Sequence, residues 1–492
     1  MLKNSVSSLV VSSNEAIEFK LVRQLADIGD DSCTFKPAMS HQVFGDSLLC
    51  GIHVVSIHQL YAIRVATLIR LYSVCDSSED VVYILLRILQ MLALPYPALL
   101  FVFNVCCVSK SIFPLHIRFY RMYNKVLLST PAVCFRETIF GYHDLKIQLY
   151  YSAARLTTYF GISYSDKVTP DKFEGIEADE IFGKISEKLQ PGFHTNLDDF
   201  CSDIDKDINF VPFGELQHSF TTDGMLLIHQ NSIYMCEVTT PGFQKYHERL
   251  QTFVLWFIDA ASFIDADDDH WRFFLVYEKY CLDGNTCYAI AGYATVYEYY
   301  AYPDNIRPRI SQMLVLPPFQ RIGVGVQLLD SLYRHYISQP HVVDITVEDP
   351  SDEFQRLRDF LDARNCSRLP SFQPHVLEEG FREEMVAEAK TKLKINKKQA
   401  RRVYEILRLR VTDVHNSEQY RRYRLDVKNR LNVPYQQKEQ LEFKKYKERL
   451  KDRDIQNALS FADPSQRLES LDREYREVEA QYNQVLQRLA SL

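Results

Sequence analysis

Hydrophobic and polar positions in the middle of the chain follow the periods of strands and helices in turn. Residues 145–151 alternate as a half-buried strand does, and residues 177–185 have helical spacing. Apolar side chains recur at helical intervals over residues 246–263, which predicts one long helix with a buried face. Residues 271–278 and 286–302 have strand patterns on either side of Asp283-Gly284-Asn285, which predicts an antiparallel hairpin.

Residues 309–349 form the most informative unit of the pattern. An apolar strand over residues 313–316 is followed by a proline-rich link and by the turn Gln-Arg-Ile-Gly-Val-Gly at residues 320–325. An amphipathic helix begins in that turn, and a second strand over residues 342–347 ends at the acidic pair Glu348-Asp349. The helix carries its apolar face on Leu328, Leu329, Leu332 and Tyr336. The order strand, turn, helix, strand and carboxylate predicts an α/β site at the carboxyl ends of the strands.

The carboxyl-terminal part of the chain has helical patterns. Residues 352–364 predict a helix, and Asn396 with Gln399 three residues later predicts a capping box at the start of another. The last segment alternates apolar spacings of three and four, as in a heptad seam. This pattern predicts a coiled coil or a helix packed on a partner, with a surface helix of the same chain as the alternative. The seam residues are Leu468, Leu471, Tyr475, Val478, Tyr482, Val485, Leu489 and Leu492.

Composition narrows the class of protein. A chain of 492 residues with 46% hydrophobic and 25% charged residues predicts a soluble protein of two or three domains. The net charge of −7 gives no general reason to expect nucleic-acid binding. The cysteines show no metal-ligand spacing, so reduced thiols are expected and no metal is predicted. Residues 1–20 lack the pattern of a secretory signal.

Residues 47–136 differ from the rest of the chain. Eleven of these 90 residues are charged, against 25% overall, and they hold five of the eleven cysteines. Residues 88–109 are uncharged and long enough in principle to span a bilayer, although prolines and polar residues interrupt them. A membrane-tethered protein is therefore one alternative interpretation.

The turn at residues 320–325 has the features of an anion site. Gly323 and Gly325 let backbone N–H groups approach a ligand closely, and the helix that starts there adds unpaired N–H groups and its dipole. Arg321 would add a positive charge. If residues 313–315 leave their neighbouring strand, their backbone groups can pair with the amides of an extended ligand. Coenzyme A has both features, a pyrophosphate and an amide-bearing arm, which favours it as the ligand.

Glu348 is the candidate base beside this site. A lysine amine has a pKa of about 10.4 and must lose a proton before it attacks a thioester. The run of aspartates at residues 265–269 would attract a lysine-rich peptide. Tyrosines at 297, 299, 300 and 302 favour either a packed sheet face or the wall of a peptide groove.

Several strings resemble a known family. The turn 320–325 is similar to the acetyl-coenzyme A signature of the GCN5-related N-acetyltransferase (GNAT) superfamily. Longer strings resemble the type B histone acetyltransferase catalytic subunits. These are Tyr-His-Glu-Arg-Leu-Gln-Thr-Phe from 246, Ala-Ser-Phe-Ile-Asp from 261, Asp-Ile-Thr-Val-Glu-Asp-Pro-Ser from 344 and Ala-Arg-Arg-Val-Tyr-Glu-Ile-Leu-Arg-Leu from 400. The resemblance covers roughly residues 13–46 and 137–430.

The resemblance implies an α/β GNAT fold, a mixed sheet flanked by helices, with an N-terminal α+β domain and a helical C-terminal region. It implies acetyl transfer from acetyl-CoA to lysines near the start of newly made histone four, before deposition on DNA. It also implies a partner, the retinoblastoma-binding WD-repeat histone chaperone, and residence in the nucleus and cytoplasm.

Site residues follow from the same resemblance, motif by motif. Glu348 is the general base, with Asp259 and Asp349 as candidate assisting groups. The cofactor-binding residues are Met313, Leu314, Val315, Gln320, Arg321, Ile322, Gly323, Val324, Gly325, Val326 and Ser351. The residues expected to contact the histone are Trp271, Tyr297, Glu298, Tyr299, Gly45, Asp46 and Glu137.

The resemblance also bears on the unusual segment. The family runs almost directly from the string that ends here at Asp46 to the string that begins here at Glu137. Residues 47–136 are therefore interpreted as an insert in an N-terminal domain of residues 1–46 and 137–207, and the hypothesis for its origin is a retained intron or a gene-model error. The further domains expected are catalytic (208–365), helical (366–430) and a charged helical tail (431–492).

Two other functions stay open from the sequence. The cofactor turn is generic, so an acetyltransferase for a small amine or another protein fits it as well. The carboxyl-terminal seam is also compatible with a non-catalytic assembly subunit that holds histones.

Overall fold

A computed structural model describes residues 9–44, 137–171, 175–223, 228–265, 267–447 and 464–491. These residues divide into two compact units. The first contains the described parts of residues 1–18, 36–148 and 161–189, and the second those of residues 19–35, 149–160 and 190–492. The domain boundaries expected from the sequence stay predictions.

The strands of the described residues are numbered here in chain order. They are β1 (Val10–Ser12), β2 (Ile17–Val22), β3 (Thr34–Phe35), β4 (Thr138–Phe140), β5 (Tyr142–His143), β6 (Lys146–Ser152), β7 (Thr158–Ser163), β8 (Asp166–Lys167), β9 (Glu215–Asp223), β10 (Ile228–Glu237), β11 (Trp271–Leu282), β12 (Asn285–Ala301), β13 (Asn305–Val315) and β14 (Thr346–Val347).

The α-helices of the described residues are numbered in the same way. They are α1 (Ser13–Ala16), α2 (Ala26–Gly29), α3 (His41–Phe44), α4 (Phe182–Ser186), α5 (Leu197–Ile204), α6 (Phe243–Leu250), α7 (Val254–Phe257), α8 (Val324–Ile337), α9 (Asp352–Cys366), α10 (Pro374–Glu379), α11 (Glu383–Leu393), α12 (Lys397–Val411), α13 (Ser417–Lys447) and α14 (Pro464–Ala490).

The second unit is built on a mixed sheet with the strand order β14-β13-β12-β11-β10-β9. Neighbouring strands are antiparallel except β13 and β14, which are parallel. Asp283 and Gly284 connect β11 to β12 with φ values of 48° and 80°, as a two-residue hairpin turn requires. Helix α8 packs on the sheet through Leu328, Leu329 and Leu332, which are fully buried. The predicted hairpin, helix and α/β fold are confirmed.

The helix predicted over residues 246–263 is divided in the structure. Helix α6 ends at Leu250, a 3-10 turn spans Gln251–Phe253, and α7 ends at Phe257. Ala260 then has a φ of 55°, which no right-handed helix contains. Leu250, Phe253 and Val254 are fully buried, so the pattern identified the buried face, but the predicted length was wrong.

The strand predicted over residues 342–347 is shorter than expected. Ladder pairing with β13 covers only Thr346 and Val347. Ile345 instead makes an isolated parallel bridge to Ile395, in the link between α11 and α12. Val342 makes a further isolated parallel bridge to Ile306 of β13, so the segment bonds to β13 on one side and to the link between α11 and α12 on the other, which an apolar run cannot reveal.

The predicted cap of α12 is half formed. The side chain of Asn396 accepts a hydrogen bond from the Gln399 N–H at 3.0 Å, as predicted. The Gln399 side chain does not complete a capping box, because its oxygen accepts a hydrogen bond from the Gln355 amide at 3.2 Å while its own amide donates to the buried carboxylate of Asp359 at 3.0 Å.

The carboxyl-terminal seam faces its own chain. Helix α14 packs against α9, α12 and α13. Leu471, Tyr475, Tyr482 and Val485 are buried there, whereas Leu468 is 66% exposed. The Tyr482 hydroxyl donates to Glu405 on α12 at 2.9 Å. The structure therefore has the alternative arrangement, a helix packed on the same chain, in place of a seam against a partner.

The first unit joins chain segments from both sides of the insert. Strand β1 pairs antiparallel with β4, with Val10 opposite Phe140, and the Ser13 N–H donates to the Glu137 carbonyl at 2.9 Å. Residues 47–136 lie outside the described residues, and with them the uncharged stretch at 88–109. Among the helices that the structure describes, none is both long enough and apolar enough to cross a membrane.

Candidate active site

The sheet opens between β13 and β14. Strand β13 pairs with β12 as far as Val315, which lies opposite Gly292. Pairing with β14 covers only Arg309 and Ile310, so the edge of β13 beyond Ile310 has no further strand among the described residues. The neighbouring strand thus departs just before residues 313–315, as the sequence interpretation requires.

A close contact at Gly292 shows which way the backbone N–H and carbonyl groups of residues 313–315 point. A Cβ placed on Gly292 would lie 2.6 Å from the Leu314 carbonyl oxygen, so that oxygen points toward β12. Because backbone groups alternate along a strand, those of Met313 and Val315 point to the open edge. The groups of Met313 and the Val315 N–H thus face an extended ligand with amides, whereas the Val315 carbonyl accepts a hydrogen bond from the Gln320 side chain.

The turn after β13 is shaped by two left-handed residues. Arg321 has a φ of 64° and Gly323 a φ of 98°. The Gln320 side-chain amide donates to the Val315 carbonyl at 2.8 Å and ties the turn to the strand. Helix α8 begins directly after Gly323, so the N–H groups of its first turn are directed out of the helix end. The turn therefore has the backbone geometry that suits an anion, beside the open edge and with the exposed Arg321 next to it.

Gly325 brings the strand, the turn and α9 together. A Cβ built on this glycine would meet Leu357 at 3.5 Å, Val315 at 3.7 Å and Met313 at 3.8 Å. These are ordinary contact distances, so packing of the protein does not require a glycine here. Close approach of a ligand to the backbone gives a reason for it.

Glu348 lies where β14 departs from β13. Its N–H donates to the Ile310 carbonyl at 2.9 Å, and its carboxylate accepts a hydrogen bond from the Ser311 hydroxyl at 2.8 Å. Ser311 is the extra residue of a bulge, because Val296 pairs with Ile310 and Thr295 with Gln312. The side chain of Glu348 is exposed and therefore accessible to a substrate. Sequence reasoning missed Ser311, since nothing local indicates the bulge.

The other acidic candidates occupy neighbouring positions. Asp259 is exposed on the loop after α7, and that loop is tied to β13 by the Gln312 side chain, which donates to the Ser262 carbonyl at 2.9 Å. Consecutive residues of β13, Ser311 and Gln312, thus hold Glu348 and the loop of Asp259. Asp349 is exposed beside Glu348.

Ser351 has a structural role in addition to its position near the site. Its hydroxyl oxygen accepts a hydrogen bond from the Phe354 N–H at 3.2 Å and caps α9. Ile322, Val324 and Val326, the remaining predicted cofactor-binding residues, lie in the turn and in the first turn of α8.

An aromatic face continues from the site along β11 and β12. The rings of Trp271 and Tyr297 are 5.0 Å apart, and Tyr299 lies 4.6 Å from Tyr297 and 5.1 Å from the Arg309 guanidinium. The Tyr297 hydroxyl donates to Asp268 at 2.8 Å, and this bond raises the pKa of the tyrosine. The face therefore joins aromatic rings to the aspartate-rich loop.

Glu298 points to the other side of the sheet. Its carboxylate accepts a hydrogen bond from Tyr336 at 3.0 Å and pairs with Arg272 at 3.0 Å. The structure thus does not bring this side chain together with Trp271 and Tyr297, because successive residues of a strand face opposite sides.

The remaining predicted histone contacts belong to the first unit. Gly45 and Asp46 lie outside the described residues. Glu137 accepts hydrogen bonds from the Ser40 N–H at 2.9 Å and the Asn14 amide at 2.8 Å. Burial opposes its ionisation, but these bonds and that of His41 outweigh burial and lower the pKa of its carboxyl.

One group of side chains has metal-ligand proximity among the described residues. Ligand atoms of Asp268, Asp269 and His270 lie within 4.8 Å of one another. Asp268 already accepts bonds from His270 and Tyr297, which lower the pKa of its carboxyl.

An opened strand edge followed by a glycine turn and a helix start is the arrangement of an acetyltransferase domain. The model of the Acetyltransferase (GNAT) family matches residues 234–357, so this is a GNAT acetyltransferase domain, a class that uses acetyl-CoA. Two further models match: "Histone acetyl transferase HAT1 N-terminus" at residues 9–51 and 134–259, and "Histone acetyltransferase type B catalytic subunit, C-terminal" at residues 358–409.

The relatives specify the family. The chain is 50% identical to the histone acetyltransferase type B catalytic subunit of Mus musculus, over 72% of this chain and 85% of the relative. Identity to the subunit of Homo sapiens is 49%, over 72% of this chain and 84% of the relative. A Dictyostelium discoideum relative with that name is 34% identical, over 60% of this chain and 62% of the relative. The chain belongs to the family of type B histone acetyltransferase catalytic subunits and is an acetyltransferase, so the resemblance noted in the sequence is confirmed.

Solved structures give weaker likenesses. An aminoglycoside acetyltransferase in complex with sisomicin is 17% identical, covering 26% of this chain and 83% of that chain with a TM-score of 0.20. A ribosomal-protein-alanine N-acetyltransferase from Brucella melitensis is 13% identical, covering 26% of this chain and 88% of that chain with a TM-score of 0.17.

Proposed function

We propose that this protein transfers acetyl from acetyl-CoA to lysine side chains in the N-terminal tail of newly synthesised histone four, before chromatin assembly. The observation that carries the proposal is the position of Glu348, held by Ile310 and Ser311 where β13 opens beside the anion-binding turn. This places a carboxylate next to the edge that fits the arm of coenzyme A.

The proposed mechanism is direct transfer in a ternary complex. The residues 313–315 edge pairs with the amide arm, and the turn at residues 320–325 holds the pyrophosphate. Glu348 accepts the lysine proton, directly or through a water. The free amine then attacks the thioester carbonyl, the N–C bond forms, the C–S bond breaks, and the leaving thiolate takes the second proton from the nitrogen and departs as the thiol of coenzyme A. A backbone N–H of Met313 or Val315 stabilises the oxyanion. Asp259 and Asp349 stay candidate assisting groups.

Two features of the second unit favour a basic peptide as substrate. Asp265, Asp267 and Asp269 are exposed on the loop before β11, and they attract positive charge over long range. Trp271 and Tyr297 offer an aromatic surface beside that loop. The names of the relatives add histone as the substrate class.

The partner and location in the proposal rest on family membership alone. A WD-repeat retinoblastoma-binding histone chaperone is the proposed partner, and the nucleus and cytoplasm are the proposed locations. Co-purification of the chaperone with the tagged full chain tests the first, and fractionation of cells tests the second.

Exchange of Glu348 for Gln tests the mechanism. We expect Glu348→Gln to lower kcat about 10²–10⁴-fold, the usual contribution of a general base, with little change in acetyl-CoA affinity. Glu384→Gln changes an exposed glutamate on α11 and serves as the matched control. Kinetics on histone-tail peptides and calorimetry with acetyl-CoA measure both. Turnover of Glu348→Gln at the wild-type rate would refute the role of Glu348.

Substrate competition separates the alternatives. Wild-type protein is assayed with a histone four tail peptide, with other basic peptides and with polyamines. A higher kcat/KM on polyamines would favour a small-amine acetyltransferase. Tight histone binding without turnover, in wild type and Glu348→Gln alike, would favour a non-catalytic assembly subunit.

A further inference from the structure

The segment that leads to Glu348 is held by β13 on one side, where the Val343 N–H donates to the Ile306 carbonyl at 3.0 Å and the Glu348 N–H to the Ile310 carbonyl at 2.9 Å. Ladder pairing of β14 with β13 spans two residues, and the Thr346 hydroxyl adds one bond to the Pro308 carbonyl at 3.3 Å. These bonds hold one side of the segment, and its other side faces α9 and the link between α11 and α12.

Additional support comes at Ile345, three residues before Glu348. The Ile345 N–H donates to the Lys394 carbonyl at 2.8 Å. The Ile345 carbonyl accepts a hydrogen bond from the Arg358 guanidinium on α9 at 3.1 Å. Ile345 is 1% exposed, so both bonds are shielded from water. The residue before β14 is thus held through its N–H by the end of α11 and through its carbonyl by α9.

Arg358 is itself held in a buried setting. It is 5% exposed, and its Nε lies 3.4 Å from a carboxylate oxygen of the fully buried Asp362. Burial raises the pKa of Asp362 to about 6, and the nearby Arg358 charge opposes that rise. The adjacent Asp359 anchors α9 to α12 through Arg402 at 2.6 Å. The guanidinium therefore has a defined position from which it reaches the Ile345 carbonyl.

We propose that Arg358 is a positioning residue for acetyl transfer, which sets the end of β14 and thereby the location of Glu348. This inference rests on the proposed role of Glu348 as the base. Arg358 touches neither the open edge of β13 nor the turn that fits acetyl-CoA, so it acts on turnover and leaves cofactor binding intact. A displacement of about 1 Å at a reacting group can lower the rate about 10²-fold.

The main variant removes both buried charges at once. Arg358→Met with Asp362→Leu avoids an uncompensated buried charge and keeps an apolar filling of similar size. Arg358→Lys retains the positive charge but replaces the planar guanidinium with one ammonium group. Arg364→Met is the matched control, because Arg364 lies on the same helix and pairs with Asp330 at 2.8 Å, away from β14.

The expected results separate positioning from general stability. The double variant should lose about 10- to 100-fold in kcat, with KM and Kd for acetyl-CoA within about twofold of wild type. Hydrogen exchange in the peptide that contains residues 345–349 should accelerate. Arg358→Lys should recover part of kcat, and Arg364→Met should keep wild-type kcat and exchange. In a Glu348→Gln background the double variant should add no further loss, since both act through one group.

Other outcomes overturn the inference. They are wild-type kcat in the double variant, an equal loss in Arg364→Met, or a full additional loss in the Glu348→Gln background. If the double variant fails to fold, Arg358→Gln with Asp362→Asn takes its place with the same expectations. Wild-type turnover of Glu348→Gln would refute the proposed function itself. An inactive Glu348→Gln beside a fully active double variant would refute only the role of Arg358.

Discussion

His247 is predicted to make the second unit sensitive to acid. It lies on α6 with 0% exposure, and its ring centroid is 5.7 Å from that of Phe243 and 4.6 Å from that of Phe273. Neither ring nitrogen has a hydrogen-bond partner among the described residues. Burial lowers the pKa of His247 from 6.5 to about 4, so the folded protein holds this ring neutral at pH 7. We predict that His247→Leu reduces the loss of stability at low pH.

The magnitude follows from the two pKa values. Between pH 6.5 and pH 4 the unfolded chain binds a proton that the folded protein does not, so lowering the pH favours unfolding. Above pH 6.5 the ring is neutral in both states and contributes no pH dependence. A difference of about 2.5 pKa units at about 1.36 kcal/mol each gives about 3 kcal/mol below pH 4, of which about 2 kcal/mol is reached at pH 5.

The assay compares urea unfolding of wild type and His247→Leu at pH 7.5, 6.5, 5.5 and 5. Tryptophan fluorescence reports the relevant unit, because both tryptophans, Trp256 and Trp271, belong to it. The contribution of other titrating groups is common to both proteins and cancels in the difference between their free energies of unfolding. His375→Leu, at an exposed histidine on α10, is the control.

We expect the free energy of unfolding of wild type, relative to His247→Leu, to fall by about 2 kcal/mol from pH 7.5 to pH 5. The control should follow wild type. Parallel curves for wild type and His247→Leu across this range would contradict the reasoning, because they would mean that the buried ring accepts a proton without cost.

Two further predictions concern the turn and the insert. Gly323→Ala should destabilise the protein by about 1–2 kcal/mol because of its positive φ, whereas Gly325→Ala should leave the melting temperature nearly unchanged and weaken acetyl-CoA binding about tenfold. Calorimetric titration and thermal unfolding measure both, and equal effects of the two substitutions on stability would contradict this assignment. Replacement of residues 47–136 by a short Gly-Ser linker should give a folded protein with histone acetylation activity, because β1 pairs with β4 across the insert and the family model leaves residues 52–133 unmatched. Aggregated or inactive protein from this deletion would show that the insert is needed.

Local signals account for the parts of the site that sequence reasoning found. Gly323 has the left-handed conformation that its residue type allows, and the helix begins directly after it. The apolar face of α8 was readable because Leu328, Leu329 and Leu332 recur at helical spacing and are buried. The acidic pair at residues 348–349 was found because it ends an apolar run.

Other features were not readable, because they depend on residues far apart in the chain. The pattern over residues 246–263 contains no signal for the 3-10 turn at Gln251–Phe253 or for the end of α7 at Phe257. Glu298 was expected to contact the histone, but its side chain faces Arg272 and Tyr336. The heptad spacing in α14 specifies an apolar stripe, and the same stripe fits a partner or the chain's own helices equally well.

The amino-acid sequence by itself determined the order of strand, turn, helix and carboxylate, since these features are encoded in contiguous residues and backbone preferences, and the resemblance of its strings to a known family indicated the acetyltransferase class. Only the tertiary structure decided how far β14 follows β13, that a bulge directs Ser311 to Glu348, and that Arg358 reaches the Ile345 carbonyl. Each of these depends on register and side-chain packing between segments remote in sequence. Local propensity carries no information about such contacts, because they are selected by the free energy of the whole fold.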